Sequence, residues 1–296
     1  MTPAHVSVLP AEVVHFLAPE RGGLFVDCTI GLGGHTQLLL EAGASRVLGF
    51  DRDASALSLA RTRLSSWGDR VEFVHADYRT LPAELQRRGI AAVDGVLADL
   101  GVSSMQLDSE GRGFSFQRDE PLDMRMDRST GPTAADLLAT IGEGELADII
   151  YTYGEERYSR RIARAVVEAR HDAPILTTGH LASIVRRAVP GRGYQRIDPA
   201  TRTFQAIRIW VNEELGGLDR CIEALVQALR VGARLVVISF HSLEDRVAKH
   251  TLRALAAGDA PSVRILTKRP VTATESEVSI NPRARSAKLR AAERVA

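Results

Sequence analysis

The stretch V26-D27-C28-T29-I30-G31-L32-G33-G34-H35 decides the fold. An apolar run over residues 24–30 leads straight into a glycine loop, and a helical pattern opens at His35. A strand that hands a glycine-rich turn to a helix N-terminus lets backbone approach a nucleotide closely. The dinucleotide fingerprint G-x-G-x-x-G is met at Gly31 and Gly33. It is missed at its third position, which is Thr36, while the extra glycine falls early, at Gly34. Twenty residues beyond Gly31, Asp51 ends the next apolar run, the spacing of a carboxylate that takes ribose hydroxyls. The pairing favours an adenosine-bearing ligand over a free phosphate. No lysine followed by serine or threonine comes after the loop, which excludes a P-loop.

Outward from the loop, short apolar runs alternate with helical patterns. Strands are expected over 24–30, 46–51, 71–76 and 93–99, with helices from 35 to 42, 54 to 67 and 82 to 88. Repeated β-α-β with nearly continuous apolar strands means a parallel sheet covered on both faces, an α/β Rossmann-like class. Near the other end, R234-L-V-V-I-S-F240 is a further buried strand, followed by a helix over 242–255 and an edge strand over 262–267. The middle lacks comparable β-branched runs. It holds a Gly/Asp/Arg-rich stretch, 110–127, and then helices from Thr133 and over 143–153, 155–170 and 178–189. The expected organisation is a discontinuous cofactor domain, 1–104 with 213–296, carrying an inserted helical domain, 105–212, at the carboxyl edge where ligands bind in such sheets. Residues 281–296 read as a basic extension without a core.

Composition narrows the classes. In 296 residues, 45% hydrophobic and 25% charged, no apolar run approaches the roughly 20 residues that span a bilayer. The first 18 residues lack the basic leader of a secretory signal. Cys28 and Cys221 have no CxxC partners and are expected to be buried thiols in a reducing cytoplasm. Eight scattered histidines show no metal-ligand spacing, so no metal site is expected. The net charge of +1 hides an asymmetry: residues 157–208 hold eleven arginines against three carboxylates, a local +8, and 283–294 adds +4. Arginine clusters of that kind suit a phosphate-bearing polymer.

The departures from the dinucleotide pattern have their own meaning. Asp27, four residues before Gly31, gives D-x-T-x-G-x-G, which resembles motif I of S-adenosylmethionine-dependent methyltransferases. The resemblance is strongest to the form used by enzymes that methylate exocyclic amines of bases, with Thr29 in its Phe position. Asp77-Tyr78 after the third strand offers a carboxylate and an aromatic face for an adenine, and Asp99 after the fourth lies where a transferred methyl would sit.

The long motifs are more specific. D99-L-G-V-S-S-M-Q-L-D108, R112-G-F-S-F116, P121-L-D-M-R-M-D127, G154-E-E-R-Y-S-R-R161, F204-Q-A-I-R-I-W-V-N-E-E-L215, S239-F-H-S-L-E-D245 and N281-P-R-A-R-S-A-K-L-R290 closely resemble the bacterial 16S ribosomal RNA cytosine-N4 methyltransferases. The likeness runs from His5 to the tail. It implies S-adenosyl-L-methionine as donor, a cytidine in the decoding region of the small ribosomal subunit as acceptor, a cytoplasmic location, and an insertion that helps bind RNA. It also implies cofactor contacts at Gly33, Gly34, His35, Asp51, Tyr78, Asp99 and Gln106. One departure stands out: the [Asp/Asn/Ser]-Pro-Pro-aromatic motif of the wider amino-methyltransferase class is replaced by D99-L-G-V102, so the partner that stacks on the base comes from elsewhere.

Chemically, Asp99 or the Leu100 carbonyl is placed to accept hydrogen bonds from a cytosine amine and free its lone pair, which makes Asp99 the candidate catalytic residue. Arg157, Arg161 and Arg164, at helical spacing, and the basic tail are candidates for holding RNA phosphates. Ser242 is expected to cap its helix in a Ser-x-x-Asp245 box, and His241 is a candidate for lining the substrate pocket. Two rival readings are an NAD-dependent oxidoreductase and a non-catalytic RNA-binding ribosome-assembly factor. Thr36 and the arginine-rich insertion argue against the first.

Overall fold

The computed structural model describes residues 7–102, 106–107, 109–190 and 198–296. The chain packs as two compact units, one running to Gly101 and resuming over Gly217–Ala296, the other Val102–Gly216.

The first unit is built on a seven-stranded sheet. Its strands are β1 (Leu24–Asp27), β2 (Arg46–Asp51), β3 (Val71–His75), β4 (Val93–Asp99), β5 (Leu229–Ser239), β6 (Val263–Ile265) and β7 (Lys288–Arg294). Their order is β3-β2-β1-β4-β5-β7-β6. The first five run parallel, and β7 lies antiparallel between β5 and β6. Helices α1 (Pro10–Leu17), α2 (Gly34–Glu41), α3 (Ala54–Arg63), α4 (Leu81–Arg87), α10 (Leu218–Ala228) and α11 (Ser242–Leu255) accompany it. Burial of Phe25, Val26, Val47, Leu48, Val96, Leu97, Leu235 and Val236 explains why these strands read as unbroken apolar runs.

The tail corrects an expectation. Residues 281–296 are not a coreless extension: they include β7, paired on both sides, with Leu289, Ala291 and Ala292 buried. The charges of β7 are paired within the fold. Glu293 takes Arg234 at 3.1 Å and Arg264 at 2.6 Å, Arg290 donates to Asp245 at 2.6 Å, and Arg294 donates to the Gln227 carbonyl at 2.6 Å. Alanines and four charges in K288-L-R-A-A-E-R294 mask a strand that forms because β5 and β6 offer it two ladders. The end of the tail is therefore a sheet strand rather than a free arm.

The second unit is helical: α5 (Ala134–Thr140), α6 (Glu143–Gly154), α7 (Ser159–Asp172), α8 (Thr178–Ala188) and α9 (Ala200–Asn212). Its own core contains Leu138, Leu146, Ile150, Ile162, Val166, Leu181, Val185, Phe204 and Ile207. Thr133 caps α5 in a capping box with Asp136. Gly154 lets α6 and α9 approach, because a Cβ there would lie 2.7 Å from the Arg202 carbonyl oxygen. The buried Asn212 amide sews the 121–127 stretch to α9, accepting from Met126 N at 2.7 Å and donating to the Met124 carbonyl at 2.7 Å. Among the described residues no helix is long and apolar enough to cross a membrane.

Candidate active site

The glycine loop is held from beneath by the residues that broke the dinucleotide pattern. Asp27, 1% exposed, ends β1 and accepts from the hydroxyl of Thr36, 0% exposed, at 2.8 Å; its other oxygen accepts from Thr29 N at 3.2 Å. The missing third glycine is thus the partner of the additional aspartate. Burial raises the Asp27 carboxyl above its usual range, opposed by the nearby His35 and by the Thr36 hydrogen bond. Thr29 ties β1 to β4 by accepting from the Asp99 amide at 2.8 Å. The motif spacing marks Asp27, Thr29 and Thr36, the threonines two and nine residues after the aspartate, but not the hydrogen bonds that the two threonines make.

At the loop's exit Gly33, with φ 79°, precedes α2 and gives it no side-chain cap. The first-turn amides of a helix have no intrahelical acceptors, so this end can receive an anionic group such as a carboxylate. A Cβ on Gly33 would lie 2.7 Å from Leu64, and one on Gly34 would lie 2.2 Å from the Ser7 hydroxyl. The left-handed φ of Gly33 favours glycine there, while at Gly34 an added Cβ would have to displace the Ser7 hydroxyl. His35, in the first turn, is buried, and its Nε2 lies 3.6 Å from an oxygen of Asp99 at the end of β4. Neither ring nitrogen of His35 has a hydrogen-bond partner, and neither does Asp99 Oδ1, although all three atoms are buried. Unsatisfied buried polar atoms concentrated at one sheet edge mark where a ligand completes the structure.

Asp51, at the end of β2, accepts from Gly31 N at 2.9 Å and Asp53 N at 2.8 Å. The candidate ribose carboxylate also fastens the glycine loop. Burial outweighs these two hydrogen bonds and pushes it up to about 6. Tyr78 follows β3, its hydroxyl raised by burial, while Asp77 is held by Arg79 at 3.2 Å and Arg52 at 3.4 Å. Cys28 and Cys221 are both buried, and burial pushes the Cys221 thiol up to about 12. Gly33, Gly34, His35, Asp51, Tyr78 and Asp99 thus share the carboxyl edge of one sheet. Gln106 belongs to the second unit, where it is buried. Within the 99–108 motif, Ser103, Ser104, Met105 and Asp108 lie outside the described residues, as do His5, Arg192 and Arg196.

Two local expectations change. The cap of α11 is His241 rather than Ser242: its Nδ1 accepts from Glu244 N at 3.4 Å, and Glu244 accepts in return from His241 N. Asp245, the expected box partner, instead pairs with Arg290 and Lys288. Likewise Glu155, with φ 49°, closes α6 and delays α7 to Ser159. Arg157 therefore sits in the connecting turn, stacked on Tyr158 at 4.6 Å, and shares no helical face with Arg161 and Arg164. Much of the arginine cluster is structural. Arg170 caps the α5 carbonyls of Leu138 and Ile141, Arg186 pairs with Asp198, and Arg208 grips Glu214 with two bonds of 2.8 Å.

A parallel 3-2-1-4-5 sheet extended by an antiparallel seventh strand, with a glycine loop after β1 and acids ending β1, β2 and β4, defines a class I S-adenosylmethionine-dependent methyltransferase. The NAD-dependent reading falls with that assignment. The chain belongs to the MraW methylase family, whose model matches residues 2–295. It is 52% identical to a ribosomal RNA small subunit methyltransferase H of Sorangium cellulosum, over 98% of this chain and 91% of that one. It is 50% identical to the protein of that name from Geobacter sulfurreducens over 100% of both chains, and 49% identical to the one from Geotalea uraniireducens over 98% of both.

Proposed function

We propose that this enzyme transfers the methyl group of S-adenosylmethionine to the exocyclic N4 amine of a cytidine in the decoding region of 16S ribosomal RNA, in the cytoplasm. The observation that carries the reading is Asp99: a carboxylate at the carboxyl end of β4 with one buried oxygen unpartnered. The names of the full-length relatives supply the class of acceptor.

The donor fits the residues present. The uncapped start of α2 would take its carboxylate, Asp51 its ribose hydroxyls, and Tyr78 the adenine, with Asp27 and Asp99 providing negative potential near a sulfonium. When bound, the donor supplies an electrophilic methyl. The protein's task is then to expose a nucleophile, because the amine lone pair of cytosine is delocalised into its ring. Asp99 Oδ1 accepts from that amine, aims the lone pair at the methyl and takes up or relays to solvent the amine proton lost on transfer, while positioning and electrostatics lower the barrier. The His35 ring lies beside the carboxylate, 3.6 Å from its other oxygen. The exposed Arg161 and Arg164 on α7, the latter 3.6 Å from Glu143, are the retained candidates for RNA phosphates, whereas Arg157 and His241 already have intramolecular roles.

Transfer of labelled methyl to small subunits by wild type, Asp99→Asn and Asp99→Ala tests the assignment. Turnover should fall by about 10²–10³ in both variants while S-adenosylhomocysteine still binds. Full turnover in Asp99→Ala with normal cofactor binding would show the role to be wrong.

A further inference from the structure

The first unit carries a cavity rimmed by cationic side chains, away from the glycine loop. It opens between the outer half of α11 and the turn after β6, and holds about 360 Å³. Lys249, Arg253, Lys268 and Arg290 ring it, and Leu252 and Ile265 form its floor. Arg290 is fixed by its 2.6 Å bond to Asp245, whose second oxygen lies 3.5 Å from Lys288. Four cations therefore line the cavity, and of these Arg290 is paired with Asp245. Lys249, Arg253 and Lys268 have no carboxylate partner among the described residues, which leaves a concentration of positive charge suited to an anion.

The site is built rather than incidental. The turn bearing Lys268 is pinned to β7 on both sides: Thr267 Oγ1 accepts from Ala291 N at 2.9 Å, and Val271 and Leu289 exchange backbone bonds of 2.9 and 2.8 Å. Lys249 and Arg253 stand four residues apart on α11, hence on one face. Counting from Ser242, they lie roughly 10–17 Å down the helix from the carboxyl edge of the sheet. A cationic rim over an apolar floor, in a volume of the size that ligand sites occupy, suits a nucleotide with its phosphate on the rim and its base on the floor.

We infer that this cavity is a second RNA contact, anchoring the phosphate backbone of the substrate strand at a distance from the methylated base. The inference rests on the proposed RNA substrate and assigns RNA contact to the sheet unit, in addition to any contribution from the helical unit.

The test uses the full-length protein and a fluorescent single-stranded ribosomal RNA fragment, with affinity measured across a salt series. The Lys249→Glu/Arg253→Glu/Lys268→Glu variant should bind at least tenfold more weakly. Its salt slope should fall by about 2, at roughly 0.7 for each single-strand phosphate no longer neutralised. In the milder Lys249→Gln/Lys268→Gln variant the slope should fall by about 1.4. S-adenosylhomocysteine affinity should stay unchanged in both, which also reports correct folding. Unchanged RNA affinity and slope would overturn the inference. So would tight binding of free cytidine monophosphate that the reversal abolishes while RNA binding persists. The N4-cytidine reading is judged separately, by the nucleoside that wild-type enzyme methylates. A changed slope with a different methylated nucleoside would sink that reading and leave the anchor standing.

Discussion

Replacing Thr36 with valine removes one hydroxyl and almost no volume. The bond that disappears is the 2.8 Å donation to Asp27, between side chains 0% and 1% exposed. A buried acceptor left unsatisfied costs about 1–3 kcal/mol, and a charged one lies at the upper end. About 2–3 kcal/mol is therefore expected, which for a domain of this size lowers Tm by roughly 4–12 °C. The pH dependence sharpens the test. Burial already raises the folded-state pKa of Asp27 above 3.8, so the folded protein holds this proton more tightly than the unfolded chain does. Losing the Thr36 donor raises it further. The Thr36→Val penalty is thus largest where the carboxylate is charged, and shrinks on acidification through that raised pKa. Urea unfolding monitored by circular dichroism at several pH values measures this. An Asp27→Asn background, in which the penalty should also shrink, supplies the double-mutant cycle. A penalty under about 0.5 kcal/mol, the same at every pH, would refute the coupling of Thr36 to a buried charge.

Other consequences are as direct. Asp51 sits at about 6 in the folded protein against 3.8 unperturbed, so ligand-free stability should rise as pH falls through 6. S-adenosylhomocysteine affinity should move the opposite way in calorimetry, weakening below about 6 because ribose donors prefer the ionised carboxylate. Asp51→Asn should cost about tenfold or more in affinity and remove that dependence, and an unchanged profile would exclude Asp51 as the titrating group. In the helical unit, Asn212→Leu strands Met126 N and the Met124 carbonyl and should destabilise by about 2–3 kcal/mol in denaturant titration. A loss confined to catalysis would show that Asn212 is not a structural clasp.

The parallel half of the sheet was legible because its strands are buried on both faces, and residues such as R46-V-L-G-F-D51 leave no alternative periodicity. Most helices in the 133–189 region were legible from caps and apolar spacing, Thr133 included. What escaped depended on partners distant in sequence. β7 exists because β5 and β6 flank it, although its alanines and charges argue locally for a tail. Local spacing placed Arg157 on a helix that the left-handed Glu155 does not allow to start there. At the site, the acids at strand ends could be read from motif spacing. The Thr36–Asp27 and Thr29–Asp99 bonds needed the strands laid side by side. The charge count overstated the arginine cluster, because Arg170, Arg186 and Arg208 are consumed by carbonyls and carboxylates of their own unit.

The central claim is that Asp99 frees a cytosine amine for methylation, and the identity of the methylated nucleoside tests it most directly. Small subunits lacking the modification are incubated with labelled S-adenosylmethionine and either wild type or Asp99→Ala. Their ribosomal RNA is then digested to nucleosides and analysed by mass spectrometry. The account predicts label in N4-methylated cytidine with wild type and its near-complete loss with the variant. Label on any other nucleoside, or equal N4 methylation by both proteins, would contradict it.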